Sequence, residues 1–220
     1  MKNIIIGLIL TSSLTAFSQD VEIIGGLNKN DFFDFQQNEG HFSSSYDPDY
    51  GYAIRIGIEN IKIDWLTLRF TLGFDKYGGE VTASDGGLGG GHTTEAKIDK
   101  SVISLGVFPL NFKIINRIDL NFGFEFSGLI SENFSGTSSG WIMGEPDWSY
   151  ELNDKYDRFS SKTYFGLRGR IAYDFNISDK LAISPQYSYY FGLSNEFDEF
   201  PESTKSMRHY FCIGIQRKIK

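Results

Sequence analysis

The feature that most constrains this chain is a strict alternation of apolar and polar residues over short segments. Residues 118–127 show it most clearly, with Ile, Leu or Phe at every even position and a polar residue or Gly at every odd one. Successive side chains of a β-strand point to opposite faces, so this pattern predicts a strand with one apolar and one polar face. No stretch of useful length carries a helical period, and the chain is therefore predicted to be all-β.

Seven further segments show the same alternation, residues 21–28 the most weakly, which gives eight predicted strands. They are residues 21–28, 52–59, 66–75, 101–114, 165–176, 181–191 and 210–216. Within 101–114 the apolar residues occupy odd positions from Ile103 to Val107 and even positions from Phe108 to Ile114. One extra residue in the strand reconciles the two halves, so a β-bulge is predicted near Phe108 and Pro109.

The connections between these strands are of two kinds. Residues 60–64, 114–118 and 176–180 are short, whereas 30–50, 77–97, 132–160 and 194–206 are long and polar. Short and long connections alternate along the chain, which places all the long ones at one end. Outer-membrane barrels are built this way. The predicted fold is an eight-stranded antiparallel up-and-down transmembrane β-barrel with short periplasmic turns and long external loops.

The alternation alone does not say whether the apolar face meets lipid or forms the core of a soluble barrel. Bulky Phe, Leu and Ile side chains along almost the whole apolar face would overfill the interior of eight strands. Aromatic residues also fall near the strand ends, where an interfacial girdle is expected. They are Trp65 and Phe175 near the short turns, and Tyr50, Tyr77, Tyr164 and Phe191 toward the long loops. These features favour contact with outer-membrane lipid; the alternative is a secreted, soluble lipocalin-like barrel that binds an apolar ligand inside.

Residues 1–18 have the features of a cleaved export signal. Lys2 is followed by a short apolar run, and Ala16 and Ser18 place small residues at the −3 and −1 positions of a cleavage site. Cleavage there would leave Gln19 at the mature N-terminus. We therefore expect a signal peptide over 1–18, a barrel domain over 19–220, and localisation in the cell outer membrane.

The charge of the chain is concentrated in the predicted loops. The formal net charge is −7, and the four long loops hold 18 acidic and 4 basic residues, a net of −14. A nucleic-acid partner is not expected of such a chain. The acidic loops are expected to be solvated, with contacts to a protein or to cations as the alternative. The barrel itself is expected to be a monomer.

Four arginines share the parity of the polar face and are predicted to point into the lumen. With two carboxylates they form the predicted lumen charge network: Arg55, Arg69, Glu125, Arg168, Arg170 and Asp174. Asp119 and Glu59 share the same parity. Arg55 and Arg69 are expected to lie opposite one another and to share an acid. An arginine on the lipid face would cost about 2–4 kcal/mol at mid-bilayer. The prediction is a salt-bridge plug, with a proton or ion path as the alternative.

The remaining motifs give little support to catalysis. Three His and one Cys, Cys212, leave no disulfide framework and little material for a metal centre, so no catalytic residue, cofactor or metal is expected. His209 with Ser206 nearby is the basis of a third alternative, a barrel-borne lipid hydrolase. Residues 86–91 are expected to be a hairpin tip. Trp141, Trp148 and Tyr150 are expected to fold back on the barrel rim or to form a contact patch.

Several short motifs resemble the PorT-like outer-membrane β-barrel family common in Bacteroidetes. They are residues 107–113 followed by 120–124, the Tyr-Tyr-Phe-Gly-Leu run at 189–193, and residues 212–219 as a closing strand. The resemblance implies residence in the outer membrane. Some members of that family are linked to protein secretion or gliding, and none of these motifs carries such a role to particular residues of this chain.

Overall fold

The computed structural model describes residues 20–33, 37–39, 41–63, 66–114, 117–153, 160–197 and 204–218. The predicted signal peptide and Trp65 lie outside these ranges. The strands are β1 (Asp20–Phe33), β2 (Gln37–Glu39), β3 (Phe42–Pro48), β4 (Tyr50–Ile63), β5 (Leu66–Gly87), β6 (Gly90–Ile114), β7 (Ile118–Ile142), β8 (Trp148–Asn153), β9 (Thr163–Tyr173), β10 (Phe175–Ser178), β11 (Leu181–Gly192) and β12 (Lys205–Arg217). No helix long and apolar enough to cross a membrane occurs among the described residues.

Eight of these strands form a closed antiparallel ring. The order around the ring is β1, β4, β5, β6, β7, β9, β11 and β12, and β12 pairs again with β1. The first and last strands meet in a long register that runs from Val21 opposite Arg217 to Phe33 opposite Lys205. Each barrel strand pairs with the barrel strands that precede and follow it in the chain, so the predicted up-and-down eight-stranded topology is confirmed.

The alternation in the sequence determines which side chains point outward. Along β12, side chains from Tyr210 to Arg217 alternate between buried and exposed, and the exposed ones include Phe211, Ile213 and Ile215. Apolar side chains on the outer face of the other barrel strands are exposed as well, and together they form an apolar band around the ring. The polar set of every alternating strand therefore faces the lumen.

Two details of the predicted strands are also confirmed. The pairing of β6 with β7 shifts register between Val107 and Leu110, where the parity change predicts a bulge. The bulge turns Phe108 inward, where it is buried. The short connections close the hairpins β4–β5, β6–β7 and β10–β11 at one end of the barrel.

The predicted aromatic girdle is wrong at two positions. Tyr50 and Phe175 are exposed on the outside, but Tyr77 and Tyr164 are buried inside the barrel, where they pack with Val102. Both tyrosines share the parity of inward neighbours, Asp75 for Tyr77 and Gly166 for Tyr164. Parity fixes the face of a strand residue, and nearness to a strand end does not override it.

The predicted long loops are mostly strands. Strands β5, β6 and β7 contain 22, 25 and 25 residues, at least twice the roughly 9–11 that cross a bilayer. The parts of β5 and β6 that extend toward the long loops pair without a register shift, so residues 77–97 form a hairpin that turns at Leu88 and Gly89. This agrees with the hairpin tip predicted at 86–91. With β2, β3 and β8 they form an open sheet, here called the loop-end extension.

Candidate functional site

The barrel interior nearest the short turns holds the first of two ion-pair networks. Glu22, from β1, is 1% exposed and lies between two arginines. Arg69 Nη2 is 2.5 Å from Glu22 Oε2, and Arg170 Nη2 is 3.1 Å from the same oxygen. Gln186 Nε2 donates to the other oxygen of Glu22 at 3.0 Å, and Arg69 also pairs with Glu59. Two arginines thus balance two carboxylates.

The second network lies farther toward the long loops and is centred on Glu125. Arg55 Nη1 lies 3.0 Å from Glu125 Oε2, and Arg55 Nη2 lies 2.6 Å from Asp75 Oδ2. Arg168 pairs with the same oxygen of Glu125. The ring of Tyr210 stacks against both guanidinium groups, with its centroid 4.8 Å from Arg55 Cζ and 4.2 Å from Arg168 Cζ. This group is also formally neutral, and Asp75 and Glu125 are fully buried.

The structure brings five of the six predicted network residues into these two groups. Asp174 is the exception, because its buried carboxylate accepts a hydrogen bond from Ser184 Oγ at 2.6 Å and pairs with no arginine among the described residues. The expected shared acid between Arg55 and Arg69 is wrong. Arg55 lies opposite Gly73 in the β4–β5 register, so the two arginines belong to different networks.

The sequence reasoning missed two central acids. These acids are Asp75 and Glu22. Asp75 has the opposite parity to the outward residues Leu72 and Phe74, so the sequence pattern already indicates that it points inward. Glu22 lies in the weakest of the predicted strands, where the pattern is not informative. Asp119 shares the inward parity but pairs with Lys113 at 3.7 Å instead of an arginine.

Above the second network, a cationic side chain is packed between aromatic rings. Arg208 Cζ lies 4.7 Å from the ring centroid of Tyr77 and 4.4 Å from that of Tyr190. Its Nε donates to Ser206 Oγ at 3.0 Å, and it is fully buried. Cation–π contacts are strongest where water is excluded, so this layer adds a third obstruction across the lumen.

Glu196 and Phe197, which follow β11, form an inserted segment that is buried in the mouth of the barrel. Glu196 is fully buried there and accepts hydrogen bonds from Tyr77 Oη at 2.5 Å and Lys100 Nζ at 3.4 Å. Burial raises the pKa of the Glu196 carboxyl, but the charges of Lys100 and Arg208 outweigh it and hold that pKa below its ordinary value. The next residue, Phe197, places its ring 3.9 Å from Lys100 Nζ.

An apolar cluster lies around this inserted segment at the loop end of the barrel. Its buried members are Phe32, Tyr46, Val81, Ala96, Ile98, Phe134 and Phe197, with Leu152 packed against them. The rings of Phe32 and Tyr46 meet edge to face at 4.6 Å. This apolar layer and the charged layers below it fill the described part of the barrel interior with side chains.

The residues of the hydrolase alternative lie on opposite faces of β12. Ser206 is buried and donates to Asn30 Oδ1 at 2.5 Å inside the barrel. His209 points outward, where its Nδ1 is 2.7 Å from Tyr187 Oη and its ring lies 5.0 Å from that of Tyr189. The structure therefore does not bring the serine and the histidine together. Cys212 is a free, buried thiol, as its parity indicates.

The loop-end extension carries an aromatic row that the sequence did not place. Trp148 is half-buried, and its ring lies 5.6 Å from that of Tyr150 and 6.3 Å from that of His92, nearly parallel to both. The expectation that these aromatics fold back on the barrel rim is wrong, because β8 instead pairs with β7 and holds Trp148 opposite Gly140. Across the described ranges, no group of three or more His, Cys, Asp or Glu side chains is placed to hold a metal ion.

Comparison with known proteins points to the membrane. Residues 17–198 match the outer membrane protein beta-barrel domain family. Neisserial surface protein A is similar over 92% of this chain and 97% of its own, at 14% identity and a TM-score of 0.44. OprG from Pseudomonas aeruginosa is similar over 90% of this chain and 96% of its own, at 13% identity and a TM-score of 0.39. Ail, the attachment invasion locus protein of Yersinia pestis, is similar over 90% of this chain and 97% of its own, at 10% identity and a TM-score of 0.38. No curated protein matches the chain.

Proposed function

The chain belongs to the outer membrane protein beta-barrel domain family, and from this premise we propose that it is a non-conducting barrel that anchors a surface-interaction sheet. The observation that carries the proposal is the closure of the lumen in successive layers. Two neutral ion-pair networks, the Arg208 layer and the apolar cluster around Phe197 cross the interior one above another. A channel needs a polar route that ions can enter and leave, and such layers do not provide one.

The surface-interaction role of the protein depends on the loop-end extension. Strands β5, β6 and β7 continue far beyond the length that spans a bilayer, and β2, β3 and β8 widen them into a sheet. A paired sheet that continues above a filled barrel is suited to holding a contact surface away from the membrane. No catalysis is proposed, which the separation of Ser206 from His209 supports.

The route to the membrane is a further part of the proposal. We propose that the predicted signal over 1–18 is removed after Ser18 and that the barrel then inserts as a monomer. The resemblance around Pro109 supports placing the chain in the PorT-like branch of its family. The acidic charge of the external residues supports contacts with a protein or with cations rather than with nucleic acid.

A conductance measurement tests the closed lumen. We expect the mature protein in a planar lipid bilayer to show no stable channel, and Glu196→Ala to remain closed because the Glu125 and Glu22 networks lie below it. A porin reconstituted in the same bilayers is the positive control. Steady conductance of the wild-type protein would contradict the proposal. Conductance of the variant alone would make the inserted segment a gate and would also contradict it.

Recovery of the protein tests the membrane assignment separately. A closed membrane barrel resists SDS until it is heated, so the unboiled protein from an outer-membrane fraction is expected to migrate differently from the boiled protein. Recovery in the soluble fraction with no heat-dependent shift would favour the lipocalin-like alternative.

A further inference from the structure

The tip of the loop-end extension holds four residues in one row across four strands. Asp85 of β5 lies opposite His92 of β6, His92 lies opposite Gly140 of β7, and Gly140 lies opposite Trp148 of β8. Residues directly opposite in antiparallel strands share a face of the sheet. The row therefore places a carboxylate, an imidazole and an indole side by side, with a gap in side chains at Gly140.

That gap lets the indole lie flat against the sheet. A Cβ atom at position 140 would come within 2.4 Å of the Trp148 ring, so the ring occupies the space that any other residue would fill. Tyr150 follows on the same face, its ring plane 14° from that of Trp148, and the His92 ring plane is 24° away on the other side. Three nearly parallel rings thus form an aromatic strip, of which Tyr150 is 55% exposed.

A cleft of about 490 Å³ opens at this tip. Asp85, His92, Trp141, Asp147 and Trp148 take part in its lining. Thr93, Ser139 and Ser149 also lie at the cleft, but they form the neighbouring row of opposed residues, so their side chains take the other face of the sheet. Trp141, opposite Gly91, takes that other face too, so Trp148 is the tryptophan on the face of the row. Among the described residues, the lining includes two carboxylates but neither Lys nor Arg.

We propose that this cleft binds a neutral saccharide. A pyranose ring presents one face of C–H groups, which pack on an indole or phenol ring, and an edge of hydroxyl groups. Ionised Asp85 and Asp147 accept hydrogen bonds only, so they match hydroxyl donors, and the His92 imidazole, in the same row as Asp85 and Trp148, both donates and accepts. The same carboxylates repel sulfated or uronic saccharides, because no cation in the lining offsets them.

This inference rests on the proposed role of the extension as a contact surface, and it does not depend on a closed lumen. The cleft lies on strands β5 to β8 beyond the barrel, so binding at the tip and conductance through the lumen are measured independently. A conducting barrel that still binds saccharide would contradict only the closed lumen. A closed barrel that binds none would contradict only the saccharide site.

Tryptophan fluorescence and isothermal titration provide the test. The mature protein is reconstituted in phosphocholine vesicles, because the head groups of glycoside detergents would compete for the site. It is titrated with three neutral probes (maltotriose, cellotriose and the trimer of N-acetylglucosamine) and with heparin as a sulfated comparison. We expect saturable binding of at least one neutral trisaccharide at micromolar to millimolar concentration, with weaker or no binding of heparin.

Three variants assign the binding to the cleft. Trp148→Ala is expected to weaken it roughly tenfold or more through loss of the stacking surface, and Asp85→Asn several-fold. Leu88→Ala, which alters a fully exposed side chain at the neighbouring turn, is the matched control and should leave binding unchanged. The heat-dependent gel shift verifies that each variant is folded. Absence of binding by all three neutral probes, stronger binding of heparin, or unchanged binding by Trp148→Ala would overturn the proposal.

Discussion

Glu125→Gln is expected to lower the free energy of unfolding by about 3–5 kcal/mol. The Glu125 carboxylate is fully buried and pairs with both Arg55 and Arg168. Glutamine keeps the shape of the side chain but removes its charge, which leaves Asp75 as the one carboxylate of this network against two buried guanidinium groups. Losing one partner of a buried ion pair is costly because the remaining charge is uncompensated away from water.

Urea unfolding in lipid vesicles, followed by the heat-dependent gel shift and by tryptophan fluorescence, measures this change. Asp119→Asn is the matched control, since it also converts an inward carboxylate to its amide. Asp119 pairs at 3.7 Å with Lys113, whose side chain is 54% exposed, so we expect the control to cost less than about 1 kcal/mol. Equal effects of the two substitutions would mean that the Glu125 network is as well solvated as a surface pair.

The lumen arginines were predictable because their placement is a local property of the sequence. Arg55, Arg168 and Arg170 alternate with apolar neighbours, and period-2 parity alone turns them inward. Which acid each one meets is not local. Glu22 and Arg170 are 148 positions apart, and their contact depends on the closure of β1 against β12 and on the register of every strand between them. Parity therefore predicts the face of a residue, and barrel closure determines its partner.

The loop-end extension shows where alternation ceases to be informative. The sequence predicts a loop over residues 132–142 because Ser, Thr and Gly occupy both parities there, so neither face is apolar. They continue β7 all the same, since backbone pairing with β6 does not require an apolar face. Glu196 and Phe197 have no strand parity at all, so their burial in the barrel mouth follows from tertiary structure that a single sequence does not display.

Ile54→Arg is expected to cost about 2–4 kcal/mol, because it places a guanidinium on the lipid face near the middle of the apolar band. Ile54 is 56% exposed on the outside of β4, and the next residue, Arg55, is buried in the lumen. Arginine is thus the native residue at position 55, inside the lumen, and is strongly unfavourable at position 54, on the outer face. If the outer face of this barrel met water instead of lipid, the side chain at position 54 would be solvated, and an arginine there would cost little.

Urea unfolding in lipid vesicles again provides the free energy, and the heat-dependent shift provides the folded fraction. Thr82→Arg is the control, because position 82 is also exposed on β5 but lies above the apolar band. It is opposite Glu95 in the register, so an added arginine there should change stability by no more than about 0.5 kcal/mol. A large cost at position 54 with none at position 82 requires lipid around the lower barrel. Equal, small costs at both positions would mean that the Ile, Leu and Phe band is not in contact with a bilayer.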